Sequence, residues 1–538
     1  MSTQPHFETL KSRFLYGINT FSDYPLFSFV GKEAISYQQF GALTQQLISL
    51  FDQAGFPEGA KIAILGSNMP HWPVAYFAAL CSSRVAVPIL PDFTPFEIAN
   101  ILEHSEAKAL IISNKLKYKV PDHLLRQIPL VVNMDTLEVL SMHPAPSCTT
   151  SDPKPETLAA IIYTSGTSGS SKGVMLSHGN ICSNVEATYL LFSIKPSDVF
   201  LSILPLSHAY ECTLGMLYPF CYGASVQYLD GAPTPSLLMP ALQQAKPSVM
   251  LSVPMIVEKL YKSKIRPTFT KNFFMRLLYS FAPVRRLLHK IAGKKLLQFF
   301  GGNLIFFGIG GSKLDVMVER FLKEARFPYA IGYGLSETSP LVAGTIPGKE
   351  KVRSTGPTIN GVQVRISKPD KHHIGEIQVK GPNVMMGYFK DPELTAAAFT
   401  PDGWFKTKDL AKIDHKGYVT IMGREDNMII GPSGENIYQE EIEAVINEHD
   451  LVLESLVAKI KGRMVAMVHF NYPQLEAWEQ LRDEAVKSVG DLVEKLKNEL
   501  KEYINERVNK FSRITEIIEQ PFPFEKTATQ KIKRFLYV

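Results

Sequence analysis

The sequence predicts an α/β protein with layered, largely parallel sheets, a small antiparallel β unit and a separate α+β unit towards its C-terminal end. Between residues 61 and 308, short apolar runs bounded by turn residues alternate with helix-like stretches, which is typical of buried parallel strands connected by helices. Residues 361–422 instead alternate apolar and polar positions, which indicates antiparallel strands with one exposed face. After about residue 427 the composition shifts to amphipathic helices around a hairpin.

The runs that we interpret as buried strands are short and apolar, and turn residues bound them. They cover residues 61–66, 85–90, 109–113, 160–163, 248–252 and 304–308. Helical stretches between such runs cover residues 37–54 and 74–81. The alternating strands of the small antiparallel unit cover residues 362–366, 375–380 and 417–421.

The last unit begins with an amphipathic helix over residues 440–450. Two apolar strands, 456–460 and 464–470, flank a Lys461-Gly462 turn and predict a hairpin. A long charged helical stretch follows from about residue 475 to residue 510. We therefore expect two domains, a large one over residues 1–426 and a small α+β one over residues 427–538.

The composition is that of a soluble globular protein, because 45% of the 538 residues are hydrophobic and 20% are charged. It excludes disordered, collagen-like and disulfide-stapled classes. The net charge of +5 is too mild to imply nucleic-acid binding. Five scattered cysteines without a CxxC pair indicate reduced thiols.

We expect a cytoplasmic location, because the first 25 residues show no secretory signal. Residues 62–83 form an uncharged run that is long enough to span a bilayer. Two prolines, Pro70 and Pro73, interrupt it together with Asn68 and His71. The run is therefore interpreted as a strand, a turn and a helix instead of a transmembrane segment.

A loop rich in small polar residues follows the strand at 160–163. From Thr164 to Gly173, nine residues are Ser, Thr or Gly and the tenth is Lys172. Glycine lets backbone N–H groups converge on an anion, hydroxyls donate to phosphate oxygens or bind magnesium, and lysine adds positive charge. The spacing is not that of a Walker P-loop. A flexible linker is the alternative, but apolar runs on both sides argue against it.

This loop resembles the signature of the adenylate-forming superfamily, which comprises acyl-CoA synthetases, nonribosomal adenylation domains and firefly-type luciferases. Ser168 stands where threonine is commoner and Ser171 where proline is commoner, and both keep the loop small and polar. Further segments resemble the superfamily's other motifs in the expected order, at residues 204–211, 308–312, 332–338, 375–388, 403–409, 423–427, 434–438 and 526–534. The resemblance covers nearly the whole chain and implies the adenylate-forming fold, with a rotating C-terminal domain.

The resemblance implies a site for ATP and Mg²⁺. The residues that would contact the phosphates are Thr164, Ser165, Gly166, Thr167 and Lys172, with Ser336 at the α-phosphate. Glu337 and Thr164 would hold the magnesium ion, which prefers oxygen ligands.

The resemblance also implies how the nucleoside would bind. Tyr333 would stack against adenine, and the glycine segments around it would allow close approach. Asp409 would accept hydrogen bonds from both ribose hydroxyls, and Arg424 would add a third contact. Lys408 departs from the motif, because glycine is usual at that position. The residues of the two glycine segments are Gly310, Gly311, Ser312 and Gly332.

Two further residues would act on the acid. Lys531 would be the catalytic cation that bridges the attacking carboxylate and the α-phosphate; a solvated basic tail is the alternative. Gln530 replaces the usual glycine beside it. His208 would line the entrance for the acyl carboxylate; a satisfied structural histidine is the alternative. The hinge would fall on Asn427, which follows Asp426, where the superfamily more often has lysine followed by aspartate.

The implied reaction couples a carboxylate to ATP, giving acyl-AMP and pyrophosphate, and a thiol then displaces AMP. The stretches 204–208 and 524–534 most resemble bacterial long-chain fatty acyl-CoA ligases, so a fatty acid is the expected substrate. The chain ends at Val538 without a carrier domain, which makes coenzyme A the expected acceptor. Acyl carrier protein acting in trans stays open as an alternative acceptor.

The sequence leaves two other functions to compare with this one. A stand-alone amino-acid adenylating enzyme is disfavoured, because Glu211 is the sole acidic residue near His208 that could pair with a substrate ammonium. A nucleotide-binding protein without catalysis would fit the departures at residues 408, 426, 427 and 530. The presence of the expected site residues argues against it, namely Glu337, Asp409, Arg424 and Lys531.

Residues 259–300 contain eleven Lys and Arg and no Asp or Glu, so the remainder of the chain is net acidic. Large apolar residues lie between these cations. Such a mixture predicts peripheral contact with an anionic membrane, at the inner membrane surface in a bacterium. The alternative is two amphipathic helices that pack on the core with solvated lysines. Nucleic-acid binding is disfavoured, because no recognisable nucleic-acid module accompanies the segment.

Overall fold

The computed structural model of the protein describes residues 7–143, 145–165, 171–270, 273–430, 436–449, 451–460, 462–472, 489–527 and 532–537. The strands β1 to β15 are, in chain order, Pro25–Phe29, Ile35–Ser36, Lys61–Leu65, Val85–Ile89, Ala109–Ile112, Leu130–Asn133, Val139–Met142, Leu158–Ser165, Ser171–Ser177, Val199–Ser202, Ser225–Tyr228, Val249–Ser252, Phe306–Ile309, Tyr329–Gly334 and Leu341–Gly344. The strands β16 to β25 are Gln363–Ser367, Gly375–Lys380, Gly387–Tyr388, Phe405–Ile413, Val419–Arg424, Met428–Ile430, Asn436–Tyr438, Val452–Ile460, Arg463–Phe470 and Glu516–Glu519.

The α-helices of the described residues are labelled in the same way. In chain order, α1 to α16 are Leu10–Thr20, Tyr37–Gln53, His71–Cys81, Pro95–Ser105, Asp122–Gln127, His178–Leu191, Tyr218–Cys221, Pro235–Ala245, Pro254–Leu260, Arg266–Thr270, Phe273–Ser280, Ala282–Phe299, Val316–Ala325, Pro392–Ala398, Gln439–Asn447 and Val489–Arg507. Within this part of the chain, none of the helices has the length and hydrophobicity that a bilayer crossing requires.

Two eight-stranded sheets form the body of the protein, with the orders β15-β14-β13-β12-β10-β11-β1-β2 and β18-β9-β8-β4-β3-β5-β6-β7. Their central strands are parallel, and antiparallel pairs occur at the edges. Each of the six predicted apolar runs lies largely within a strand. These runs are apolar because the strands are mostly buried on both faces. This confirms the predicted layered α/β fold class.

The helix α3 lies in the core between the two sheets and is buried over its whole length apart from His71. It confirms the interpretation of residues 62–83 as a strand, a turn and a helix. Ser36 caps the helix α2: its hydroxyl accepts a hydrogen bond from the backbone N–H of Gln39, and the Gln39 side chain accepts one from the backbone N–H of Ser36. This reciprocal pair satisfies N–H groups that would otherwise lack partners at the helix start.

The small antiparallel unit is a four-stranded sheet with the order β16-β17-β19-β20. It confirms an antiparallel unit in this region but corrects two details. The strand β19 was not predicted, because charged residues at every second or third position obscure its buried residues. The predicted strand at 417–421 begins two residues later, because Gly417 has a left-handed φ of 79° and closes the preceding turn.

The C-terminal residues build a separate core around the sheet β23-β24-β25 and the helices α15 and α16. The predicted hairpin is present, and β23 and β24 pair along their length. The predicted helix at 440–450 starts one residue earlier and ends at Asn447. Part of the predicted stretch at 475–510 lies outside the described residues, and the rest is mostly α16. The division into domains 1–426 and 427–538 stays a prediction.

Candidate functional site

A buried carboxylate lies where the small sheet meets the strand β14. Asp409 on β19 is in register with Arg424 on β20. Its Oδ2 accepts a hydrogen bond of 2.8 Å from the Tyr333 hydroxyl, and its Oδ1 lies 3.4 Å from the Arg424 Nε. The backbone N–H of Asp409 donates to the Thr407 hydroxyl oxygen, which positions the strand. The structure thus brings together three predicted nucleotide-binding residues that are far apart in the sequence.

The Asp409 carboxylate alters the pKa of the neighbouring Tyr333. Loss of hydration and the negative charge of Asp409 raise the pKa of the Tyr333 phenol well above its ordinary value. The phenol therefore stays protonated and keeps donating to Asp409. The ring of Tyr333 is half-buried and packs partly against the core of the small sheet.

Lys408, the residue that departs from the superfamily motif, adopts a left-handed backbone conformation of the kind that favours glycine. Its φ is 59°, in the left-handed region. Its backbone N–H donates to Glu376, and its ammonium lies 3.6 Å from the Asp426 carboxylate. The departure therefore leaves the position of Asp409 intact at the cost of backbone strain.

Changing Lys408 to Gly is expected to raise the free energy of unfolding by about 0.5 kcal/mol. A left-handed non-glycine residue costs roughly 1–2 kcal/mol, and the extra chain entropy of glycine offsets part of the gain. Thermal unfolding measures the change. Lys408→Ala is the matched control, because it also removes the exposed contact with Asp426 but keeps a Cβ. Equal stability of the two variants would contradict the assigned strain.

A second polar group lies around Glu337, in the short helical turn Ser336–Thr338 that follows β14. The Tyr388 hydroxyl donates to the Glu337 Oε1 at 3.1 Å, and the Lys172 ammonium lies 5.7 Å from the centre of the Tyr388 ring. Tyr388 reaches this place because β18 pairs with β9, with Tyr388 opposite Val174. Sequence reasoning assigned no role to Tyr388, since only long-range strand pairing brings it to Glu337.

The two polar groups are neighbours. The Arg424 guanidinium acts on the pKa of both tyrosines, since its positive charge partly opposes the upward shifts of Tyr333 and Tyr388. The main cause of the raised pKa of Tyr388 is burial, followed by the charge of Glu337. The site therefore combines two carboxylates and two cations, with Lys172 as the second cation.

The predicted phosphate loop connects the antiparallel pair β8 and β9, in which Thr164 is opposite Lys172. This pairing places a hydroxyl and an ammonium at the base of the loop. Gly166, Thr167 and the side chain of Ser165 lie outside the described residues, and so does Lys531.

The glycine segments emerge at one edge of the first sheet, because β12, β13 and β14 are parallel and end there. A Cβ on Gly310 would lie 3.2 Å from the Tyr210 ring, and a Cβ on Gly332 would lie 3.1 Å from Leu341. Gly311 has a φ of 89° and is exposed together with Ser312. Ser336 begins the turn that carries Glu337. Ligands of open α/β sheets bind at this carboxyl edge.

His208 follows β10 at the same edge of the sheet and is half-buried. Its Nδ1 accepts a hydrogen bond of 3.3 Å from the backbone N–H of Tyr210. The neighbouring Glu211 points into the interior, where burial raises the pKa of its carboxyl to about 8. Its Oε2 has no hydrogen-bond partner among the described residues. Glu211 is therefore a poor partner for a substrate ammonium.

Changing Glu211 to Gln is expected to remove a pH dependence of stability. The folded state keeps a proton that the unfolded chain releases above about pH 4.5, so wild-type stability falls as the pH rises from about 4.5 to 8. A shift of this size corresponds to several kcal/mol, at about 1.4 kcal/mol per unit. The advantage of the variant in Tm should grow between pH 5 and pH 8.

The exposed Glu499 on α16 offers the matched control, as Glu499→Gln removes the same carboxylate at the surface. Its Tm should follow that of the wild type at every pH. A constant difference between Glu211→Gln and wild type across this range would show that Glu211 is ionised in the folded protein.

An apolar cavity lies beside the glycine segments and encloses about 50 Å³. Residues that line it include Tyr210, Leu251, Phe306, Gly308, Gly332 and Leu341. This volume is far smaller than that of ligand pockets, which usually enclose roughly 300–1,000 Å³. An acyl chain could enter it only after side chains move.

The oxygen ligands at the site fit magnesium better than a metal that requires a protein cage. Among the described residues, no three or more His, Cys, Asp or Glu side chains cluster in a way that could hold a metal ion. Magnesium is commonly held by one or two carboxylates, with water and phosphate oxygens as its other ligands. The Glu337 carboxylate, which accepts a hydrogen bond from Tyr388, and the Thr164 hydroxyl at the base of the loop, opposite Lys172, are the oxygen groups that could form such a partial set.

Comparisons with known proteins agree with this geometry. The chain is 26% identical to the peroxisomal long chain acyl-CoA synthetase 6 of Arabidopsis thaliana, over 98% of this chain and 84% of the relative. It is 28% identical to the medium-chain fatty-acid–CoA ligase of Escherichia coli K12, over 79% of this chain and 73% of the relative.

Solved structures share the fold. ATP-bound MatB from Rhodopseudomonas palustris superimposes with a TM-score of 0.78, at 22% identity and 98% coverage of both chains. The O-succinylbenzoate coenzyme A synthetase of Bacillus subtilis, solved with ATP and magnesium, gives a TM-score of 0.76 at 21% identity and 99% coverage of both chains. The described structure therefore has the adenylate-forming fold. The AMP-binding enzyme family matches residues 17–389, more than half of the sequence, and the chain belongs to that family of ligases.

Proposed function

We propose that this protein activates a long-chain fatty acid with ATP and transfers the acyl group to coenzyme A. The proposal rests on two neighbouring groups of side chains at the carboxyl edge of the sheet. One group is Asp409, Tyr333 and Arg424. The other is Glu337, Tyr388 and Lys172. Two carboxylates beside two cations suit a ligand that has both hydroxyls and phosphates. The fatty-acid class rests on relatives named as acyl-CoA synthetases and ligases.

Asp409 is proposed to bind the ribose. Its carboxylate can accept hydrogen bonds from two adjacent hydroxyls, and Tyr333 and Arg424 hold it in place for this role. The half-buried ring of Tyr333 offers a flat apolar surface for adenine. The exposed Gly311 leaves room nearby, because a Cβ there would meet nothing closer than Val253 at 3.7 Å, whereas the space beside Gly310 is filled by the Tyr210 ring.

Positive charge is needed at the phosphates, since a carboxylate and a triphosphate repel each other. Lys172 at the base of the signature loop and Arg424 supply part of it. The Gly166 and Thr167 backbone and the hydroxyls of the loop would add hydrogen-bond donors. A bound magnesium ion, held by Glu337 and Thr164, would neutralise phosphate charge.

The first step forms a bond between a fatty-acid carboxylate oxygen and the α-phosphorus of ATP, and the bond to pyrophosphate breaks. Lys531 is proposed to stabilise the charge that develops between the two, with Ser336 donating to the α-phosphate. His208 is proposed to line the entrance of the acyl carboxylate. In the second step the sulfur of coenzyme A, having lost its proton, attacks the acyl carbonyl carbon and AMP leaves with the bonding electrons.

The two steps are proposed to use two orientations of the domain 427–538. Asn427 ends a short helical turn, and its side-chain amide donates to Glu440 at 2.6 Å. A rotation about this residue would carry Lys531 away and admit the thiol from another side. Acyl carrier protein is the alternative acceptor.

The test of this function is ATP–pyrophosphate exchange with a panel of carboxylic acids, from short to long fatty acids and amino acids. We expect exchange that depends on the acid and is highest with long fatty acids. Asp409→Ala is the control, because it should weaken ATP binding and abolish exchange with every acid. ATP binding without exchange for any acid would favour a non-catalytic nucleotide-binding protein.

The acceptor requires a second measurement. Thioester formation is compared with coenzyme A and with phosphopantetheinylated acyl carrier protein at equal concentrations. We expect the product with coenzyme A. Product with the carrier protein alone would replace coenzyme A as the acceptor and leave the adenylation step unchanged.

A further inference from the structure

On the surface, the helix α11 is followed by α12 after the single residue Phe281, and the inner and outer sides of these helices differ sharply. The inner side of α12 is fixed to α13. Leu296 belongs to the core, and a Cβ on Gly293 would lie 2.7 Å from the Ala325 Cβ, so the two helices are in close contact. Arg285 donates twice to Glu324, at 3.1 and 2.9 Å. The packing of α12 on α13 therefore does not depend on the residues of its outer side.

The outer side exposes large apolar residues that do not contribute to the core. On α12 these are Leu287, 60% exposed, and Ile291, 49% exposed, one helical turn apart. On α11 and the following link they are Phe274, Leu277 and Phe281, 65%, 49% and 57% exposed. Five large apolar side chains exposed on two neighbouring helices are typical of an interaction surface.

Basic residues surround this apolar surface. On α12, Arg286 and Lys290 lie one turn apart beside Leu287 and Ile291, and Lys294 and Lys295 follow, all four exposed. A cleft of about 470 Å³ continues the basic surface onto α13. The residues that line it include Arg286, Lys290, Arg320, Lys323 and Arg326, together with Glu324.

The two acidic residues of α13, which lies beside this surface, are already neutralised or buried. Glu324 is bonded to Arg285 and lies 2.8 Å from the His289 Nδ1. Glu319 on α13 is 1% exposed and accepts from the backbone N–H of Arg353. The exposed charge around the apolar residues is thus positive.

We propose that the outer surface of α11 and α12 docks on an anionic lipid bilayer. Apolar side chains in the middle would enter the boundary between headgroups and acyl chains, and the lysines and arginines around them would contact lipid phosphates. A second copy of this chain fits poorly, because the same positive surface would repel itself. Nucleic acid also fits poorly, because its phosphates would lie against the exposed Phe, Leu and Ile side chains.

The structure excludes some cations of the predicted membrane segment, residues 259–300, from the docking surface. Lys262 donates to the Asn447 carbonyl at 2.6 Å and lies 3.5 Å from Asp315, and Arg266 reaches the Glu448 carbonyl at 3.4 Å. These cations contact the C-terminal unit and are not part of the docking surface. Arg285 is excluded as well, since it holds α12 on α13.

The test is flotation of the full chain with phosphatidylcholine vesicles that contain or lack phosphatidylglycerol, at low and high salt. The charge variant changes Arg286, Lys290, Lys294 and Lys295 to Gln. The matched control variant changes Lys368, Lys371, Lys412 and Lys416 to Gln, which lowers the net charge by the same amount. These four lysines are exposed on the strands and connections of the small antiparallel sheet. A third variant changes Phe274, Phe281, Leu287 and Ile291 to Ser.

Wild type and the control variant are expected to float with the anionic vesicles at low salt and less at high salt. The charge variant should bind at least about tenfold more weakly, since each cation near such a surface contributes roughly fivefold. The Ser variant should lose the binding that survives high salt. All variants should keep the wild-type Tm within a few degrees, because the changed side chains are exposed.

The proposal is overturned if wild type fails to float at low salt, or if the charge variant floats like the control variant. Binding to neutral vesicles with the same affinity would also overturn it. Tighter binding to duplex DNA than to anionic vesicles, lost in the charge variant, would assign the surface to nucleic acid. None of these outcomes depends on adenylation activity, so failure of this proposal and of the proposed function can be told apart.

Discussion

Changing Lys531 to Ala is expected to lower the rate of acyl-AMP formation by a factor on the order of 10² to 10³, which is the usual cost of removing one group that stabilises developing charge. Thioester formation from supplied acyl-AMP should stay close to wild type, because the proposed rotation carries Lys531 away from the site for the second step. ATP–pyrophosphate exchange measures the first step, and release of AMP from acyl-AMP in the presence of coenzyme A measures the second.

Lys533→Ala is the matched control for this prediction. It removes the same charge two residues away, from a lysine whose ammonium lies 3.9 Å from the Glu525 carboxylate and is partly exposed. Its rates in both steps should stay within about twofold of wild type, as expected for an exposed ion pair. Equal loss of both steps in Lys531→Ala would indicate misfolding or another role for the residue. Equal loss in both variants would indicate a general effect of the basic tail.

Changing Glu337 to Gln is expected to lower kcat/KM for ATP by about 100-fold, which corresponds to ~3 kcal/mol of transition-state stabilisation. The amide keeps the size of the side chain and can still accept from Tyr388, but it is a much weaker ligand for magnesium. The loss should shrink as the magnesium concentration rises, and exchange rates over a magnesium titration measure it.

Tyr388→Phe separates the metal role of Glu337 from its hydrogen bond. This variant keeps the carboxylate and removes only the hydroxyl that donates at 3.1 Å, at an expected cost of about 1 kcal/mol. Its magnesium dependence should remain close to that of wild type. Near-normal rates of Glu337→Gln at ordinary magnesium concentration would overturn the assignment of this residue as a metal ligand.

Among the described residues, six of the eleven strands that have parallel partners in the two large sheets could be predicted, because their residues are mostly apolar. The strand β4, for example, is fully buried along its length, and such a run has few other structures open to it. The strand β19 was missed for the opposite reason. Charged residues such as Lys406 and Lys408 alternate with its buried ones, and the motif that ends at Asp409 resembles a loop as much as a strand.

In the candidate site, too, some residues could be predicted from the sequence and others could not. Residues inside a motif, such as Asp409 and Glu337, could be proposed from the motif alone. Tyr388 ends the motif-like segment 375–388, but no role for its hydroxyl could be proposed from that segment alone. Its contact with Glu337 spans 51 residues and depends on the pairing of β18 with β9.

The sequence by itself determined the fold class, the order of the motifs and the chemical types of the site residues, because hydrophobic period and residue type are local properties. Only the tertiary structure decided which side chains meet. It directs Arg285 inward to Glu324 and leaves Arg286 exposed, although the two residues are adjacent and equally charged. The physical reason is that successive residues of a helix point about 100° apart, so burial depends on which side of the helix another element covers.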